Sequence, residues 1–320
     1  MQDSAPVSVP SAARRLVERI IAFAGQRPDQ GEDLRARLEL VLASEDNQAV
    51  GRLIQRLMTT GNEFEYYPPD PLARRIQHEV ARSAVTDDSM LVGGEHLAEV
   101  LERPMVLLSN HLSYSDANLL EFLLSKAGLA KVADRLTVVV GPKVYSEPFR
   151  RFSSLCFGTI KTPQSATRAS EDAVMSTREV ARLARETIAI AAERQAAGDA
   201  LLIFVEGTRS RNGAMQRALQ GVTRYFEEPE RILVPLGLHG TERFVPVGDE
   251  RLYPTHVTFR VGRPVEARVL AERCGSNRAL RMDAIGAAIA RLLPAEYRGV
   301  YADDLPEQEE ARRIAEAVFG

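Results

Sequence analysis

The sequence predicts an α/β protein: a mostly parallel mixed sheet covered by helices on both faces, preceded by a small N-terminal helical bundle. Three observations carry that expectation. From Pro104 onward, short apolar runs alternate with stretches of helical period. Before residue 85 only helical periods occur. The chain of 320 residues is 45% apolar with a formal charge of −3, so it can bury a core and has little charge to keep it unfolded. Two units are expected, a helical bundle over 1–85 and an α/β domain over 86–320.

The elements follow in order. Arg14–Ala24 sets Leu16, Ile20, Phe23 and Ala24 on one helical face, and Asp33–Leu42, Asn47–Met58 and Pro71–Ala84 repeat the pattern. Asn47 and Asp70 are expected N-caps, with Pro71 in the first turn, and Gly25, Gly31 and Gly61 are expected stops. Glu63–Asp70 reads as a linker. Strands are expected at Met105–Leu108, Leu136–Val140, Leu201–Val205, Ile232–Leu238 and Val257–Val261. Helices are expected at Tyr114–Leu124, Ser146–Ser154, Glu171–Ala197 and Arg278–Leu293. Ala311–Phe319, after an acidic stretch, reads as a solvated terminal helix.

Several classes are excluded. Apolar runs such as Ala284–Ala290 stay under half the roughly 18 residues a membrane span needs. The near-balance of 41 basic and 44 acidic residues argues against a dedicated nucleic-acid binder. Two cysteines, Cys156 and Cys274, are too few for a disulfide framework or a zinc cluster, and Cys156 reads as a buried small apolar residue. Residues 1–12 lack the apolar core of a signal peptide, so a cytoplasmic location is expected.

Three segments carry chemistry. An apolar strand ends at Ser109-Asn110, and His111 opens a turn that reaches Asp116 at a helix start. In α/β folds ligands gather at the carboxyl ends of strands. A carboxylate there can fold back onto the imidazole, fixing its tautomer and supporting its proton as a general base requires. Asp116 as a plain helix cap beside a loop histidine is the alternative. The second segment, Glu206-Gly207-Thr208-Arg209-Ser210-Arg211, follows a buried-strand pattern and suits an anion through its arginines and loop N–H groups. The third, Gly141–Ser170, holds Lys143, Arg150, Arg151, Lys161 and Arg168 against Glu147 alone, a positive focus in an acidic chain. A solvated helix face is the plain reading of Arg150 and Arg151.

Taken in this order, the segments resemble the glycerolipid acyltransferase family, which includes glycerol-3-phosphate and 1-acylglycerol-3-phosphate acyltransferases. Asn110, His111 and Asp116 match its first block, and Phe204-Val205-Glu206-Gly207-Thr208-Arg209-Ser210 its third, with Val205 in place of a proline. Lys161 matches the basic end of the second block and Val234-Pro235-Leu236 the fourth. The layout is most similar to the soluble plastid-type glycerol-3-phosphate acyltransferases, which also place a helical bundle first and carry two basic residues separated by one. The Glu206-Gly207-Thr208 wording is that of the lysophosphatidate type.

The resemblance implies transfer of a fatty acyl group from acyl-CoA or acyl carrier protein to a hydroxyl of a glycerol-phosphate-type acceptor. His111 would be the base and Asp116 its support. Lys161, Arg209 and Arg211 would grip the phosphate, Gly207 would allow close backbone approach, Glu206 would orient the acceptor or the loop, Lys143 would contact the donor or acceptor phosphate, and Thr208 would also lie at the substrate. No metal or redox cofactor is implied. Rival readings are an esterase or thioesterase using the same dyad, and a different lysophospholipid or alcohol acceptor. A membrane surface is a candidate partner, met peripherally on its inner face, because Arg14, Arg15, Arg19 and Arg27 flank an apolar helix face. Packing of that face against the neighbouring helices is the alternative.

Overall fold

A computed structural model describes residues 11–24, 28–163, 175–246, 248–249, 251–303 and 305–320. The chain begins with α1 (Ser11–Ala24), α2 (Pro28–Ala43) and α3 (Asn47–Thr59), then β1 (Tyr66–Tyr67) and α4 (Pro71–Ala84). Next come β2 (Met90–Val92), α5 (Glu95–Glu99), β3 (Met105–Ser109), α6 (Asp116–Lys126), α7 (Ala130–Asp134) and β4 (Leu136–Val140). They are followed by α8 (Lys143–Ser146), α9 (Pro148–Ser154), β5 (Gly158–Lys161), α10 (Thr177–Ala196), β6 (Ala200–Phe204) and β7 (Ile232–His239). The chain ends with β8 (Thr258–Val261), β9 (Val265–Glu266), α11 (Ala267–Cys274), α12 (Arg278–Arg291) and α13 (Glu309–Phe319).

The strands form one mixed sheet in the order β1-β5-β4-β6-β3-β7-β8-β2, with β9 against β7. From β5 through β7 the pairing is parallel, while β1 runs antiparallel to β5, β8 and β9 run antiparallel to β7, and β2 runs parallel to β8. All five residues of β3 are buried, as is β7 up to His239, because helices cover both faces of the central strands. This is the predicted α/β class.

Local chemistry explains the element ends. Asp70 caps α4, its Oδ1 accepting from the N–H groups of Leu72 and Ala73, with Pro71 preset for the first turn. The cap of α3 is Asp46 and not Asn47, since the Asp46 carboxylate accepts the Ala49 N–H. Gly31 lies inside α2 and stops nothing. The expected helix over Ser146–Ser154 is two short ones, parted at Pro148. Gly25 and the start of the expected Glu171–Ala197 helix lie outside the described residues.

Two departures concern packing. Glu63–Asp70, expected as linker, carries β1, which pairs with β5 through Tyr66 and Tyr67. The terminal helix α13 is not solvated: Ala311, Ala315, Val318 and Phe319 are buried. Val17 and Ile20 of α1 are buried too, in an apolar cluster that runs on through α4 to the sheet. Cys156 is buried as expected, and burial pushes its thiol pKa well up. Among the described residues no helix is long and apolar enough to cross a membrane.

Candidate active site

The site lies where β3 and β6 end side by side. Their register sets Ser109 opposite Phe204, so the residues two steps beyond, His111 and Glu206, arrive together. Asn110 fixes the first turn. Its buried amide donates to the Leu238 carbonyl and accepts the Leu238 N–H, both at 2.9 Å, so the end of β3 is tied to β7.

The next three backbone N–H groups all meet carboxylates. His111 N–H donates to Glu206 Oε1 at 2.8 Å. Leu112 N–H and Ser113 N–H donate to Asp116 at 2.8 and 3.0 Å. Asp116 is buried as the first residue of α6, where the helix dipole and these amides offset its charge. His111 Nδ1 lies 2.8 Å from Asp116 Oδ2. A carboxylate that already accepts amide hydrogens accepts here too, so Nδ1 carries the proton and Nε2 the lone pair. The ring stacks on Phe204 at 4.0 Å between centroids and an angle of 16°, which sets its plane.

The Glu206 loop completes the clamp on His111. Ser210 N–H donates to the His111 carbonyl at 2.7 Å, so both backbone groups of His111 are held by the second segment. Glu206 is buried, and its Oε2 accepts the Gln216 N–H at 2.7 Å. Gly207 adopts φ +65°, a left-handed turn that favours glycine. The chain just beyond is braced by the C-terminal region. Met215 N–H donates to the Tyr297 carbonyl, and Ala218 N–H to the Tyr301 hydroxyl. The same hydroxyl donates to Asp283, which also pairs with Arg217.

A cleft of about 1870 Å³ opens over His111. Nine basic and two acidic side chains line it, alongside apolar groups such as Leu16, Ile20, Leu57, Phe149 and Phe152. Lys143, Gly207, Thr208, Arg209 and Arg211 all reach this cleft. Asp116 and Glu206 lie behind it, holding His111 from beneath.

Lys161 is a correction. It does not line the cleft; its Nζ donates to the Gly61 carbonyl at 2.6 Å and sits 4.3 Å above the Phe64 ring. Successive residues of an extended chain face opposite ways, and the neighbouring Thr162 takes the cleft side. Desolvation lowers the Lys161 pKa, with Arg151 adding to the effect against Glu63. Arg151 is likewise committed to the Tyr145 and Leu57 carbonyls. Arg168 lies outside the described residues.

Sequence reasoning missed Tyr114 and left Arg150 between a positive focus for an anion and a solvated helix face. Both reach the cleft, and Arg150 is no plain solvated face: its guanidinium carbon stands 4.2 Å from the Tyr114 ring centroid, with that of Arg209 at 4.1 Å. An aromatic residue inside the His111–Asp116 turn was the available signal. Tyr297, Tyr301 and Asp283 were missed because nothing local in sequence links them to the loop. Among the described residues, no cluster of three or more His, Cys, Asp or Glu is placed to hold a metal.

The stretch that carries this site is similar in sequence to a known enzyme domain. Residues 89–239, just under half of the chain, match the family model described as Acyltransferase. The solved structure of the 1-acyl-sn-glycerophosphate (LPA) acyltransferase PlsC from Thermotoga maritima is 15% identical, with a TM-score of 0.43. That alignment covers 76% of this chain and 86% of that one, a likeness too remote to bear on substrate. No curated protein matches the chain in sequence.

Proposed function

We propose that the protein moves a fatty acyl group from an acyl thioester, carried by coenzyme A or acyl carrier protein, to a hydroxyl of glycerol 3-phosphate or 1-acylglycerol 3-phosphate. The observation that carries the reading is the 2.8 Å His111–Asp116 pair beneath a cleft lined by both basic and apolar side chains. Such a cleft suits a phosphate and an acyl chain together.

His111 Nε2 takes the proton of the acceptor hydroxyl as its oxygen attacks the thioester carbonyl. Asp116 offsets the charge of the imidazolium that forms. The tetrahedral intermediate then expels the thiolate, which takes the proton from Nε2 and leaves as the thiol. A thioester is already activated, so direct transfer without an acyl-enzyme suffices. General-base assistance of this kind gives about 10²–10⁴-fold, and positioning adds to it. Lys143, Arg209 and Arg211 bind the acceptor phosphate, with Gly207 and Thr208 offering close backbone approach. Glu206 acts through His111, whose N–H it holds. Lys161 is given no part.

The test supplies labelled acyl thioester with a panel of acceptors to the wild type and to His111→Ala. Product should form on the phosphate-bearing glycerol acceptors and vanish with His111→Ala, while acceptor binding by calorimetry survives. Near-normal transfer by His111→Ala sinks the assignment. Rapid thiol release without acceptor shows a hydrolase instead.

A further inference from the structure

Arg150 and Tyr114 have no part in the mechanism above. Yet the guanidinium groups of Arg150 and Arg209 gather on the one Tyr114 ring, at 4.2 and 4.1 Å from its centroid. Arg150 comes from α9, Arg209 from the loop after β6, and Tyr114 from the turn between His111 and Asp116. Among the described residues, neither arginine has a carboxylate within 4 Å. Of the two acidic side chains on the cleft, Asp249 is engaged with Arg251 and the Tyr253 hydroxyl. Arg150 has only a long bond of 3.5 Å, from Nη1 to the Lys143 carbonyl, so most of its donors are uncommitted.

Two like charges without a counter-charge repel, and in water such side chains splay apart. The π face of a tyrosine attracts each guanidinium and offsets part of that repulsion. What the arrangement lacks is an anion. A phosphate monoester offers three oxygens, and guanidinium forks match them in geometry.

We propose that Arg150 is a third phosphate-binding arginine, pairing with Arg209 on the acceptor's phosphate monoester, and that Tyr114 is the positioning residue that holds both guanidinium groups ready. This rests on the acyl-transfer reading and deepens it: it names the residues that hold the acceptor's phosphate monoester beside the base. Because Tyr114 sits three residues from His111, the phosphate grip and the base share one turn. Seating the phosphate there sets where the hydroxyl meets Nε2.

The test measures acceptor KM, kcat and inhibition by inorganic phosphate for the full chain. Arg150→Gln should raise the acceptor KM and the phosphate inhibition constant together by about 10- to 100-fold, the size of a lost charge-assisted bond. Its kcat should change far less. Tyr114→Leu should do the same, while Tyr114→Phe, which keeps the ring, should behave as the wild type. Direct phosphate binding by calorimetry separates these effects from misfolding, with circular dichroism as the folding check. Unchanged KM and phosphate inhibition in Arg150→Gln overturn the proposal, as does a Tyr114→Phe loss as large as that of Tyr114→Leu. If His111→Ala keeps transferring acyl groups, the underlying reading fails whatever Arg150 does.

Discussion

Glu206 Oε1 accepts the backbone N–H of His111 at 2.8 Å, across 95 positions of sequence. This acid, expected to orient the acceptor or the loop, is buried behind the base. Its two oxygens hold two separate amides, His111 N–H and Gln216 N–H. In Glu206→Gln one of those amides would face an NH2 group. We expect kcat/KM to fall by about 100-fold and stability by about 1–3 kcal/mol, read by steady-state kinetics and urea denaturation. A variant with normal kcat/KM would show that the clamp does not serve His111.

Asp116 both turns the His111 ring and satisfies the Leu112 and Ser113 amides. Asp116→Asn keeps the size but removes the charge that supports an imidazolium. A fall of about 10²–10⁴-fold in kcat, with acceptor KM changed little, is the expected result. A variant that keeps kcat would leave the dyad without a role.

Lys161 closes on the Gly61 carbonyl and the Phe64 ring. Lys161→Met keeps the stem and loses the bond. Thermal and urea unfolding should show a loss of about 1–3 kcal/mol, with acceptor KM within roughly twofold of the wild type. A large KM rise at unchanged stability would restore the phosphate role that its sequence position suggests.

Gly299 stands at φ +55°, and a Cβ there would lie 2.1 Å from the Met215 carbonyl oxygen. Both the backbone conformation and the space exclude a side chain. Gly299→Ala should cost more than about 2 kcal/mol and loosen the loop that carries Arg209. Tm measurement checks the first part, and a raised acceptor KM the second.

His239 ends β7, and burial lowers its pKa, with Arg260 adding to the effect. The folded protein therefore binds this proton more weakly than the unfolded chain. As pH falls through the ordinary histidine value near 6.5, the unfolded chain takes up the proton first and stability drops, levelling below the folded pKa. His239→Gln should remove that component. Urea midpoints of the two proteins should converge as pH falls from 7.5 toward 5.5; parallel curves would contradict it.

Much of the fold was legible in the residues. The apolar runs of β3, β4, β6, β7 and β8 and the 3.6-residue periods of α1 to α4 appear in local windows, because burial on a strand or helix face leaves a local pattern. Strands β1 and β9, of two residues each, and β2, of three, left none, being too short to show a period. The same held for Gly158–Lys161, whose glycine hides the strand.

The candidate site divides along the same line. His111 with Asp116, and Glu206 through Arg211, are short segments whose residue types announce acid–base and anion chemistry without any fold. Which of those groups faces the cleft was set by strand pairing. The Ser109–Phe204 register brought Glu206 beneath His111, strand alternation turned Lys161 toward Gly61, and packing of α9 carried Arg150 to Tyr114. Each is a contact between distant segments, so its geometry depends on pairing and packing that no local window of sequence contains.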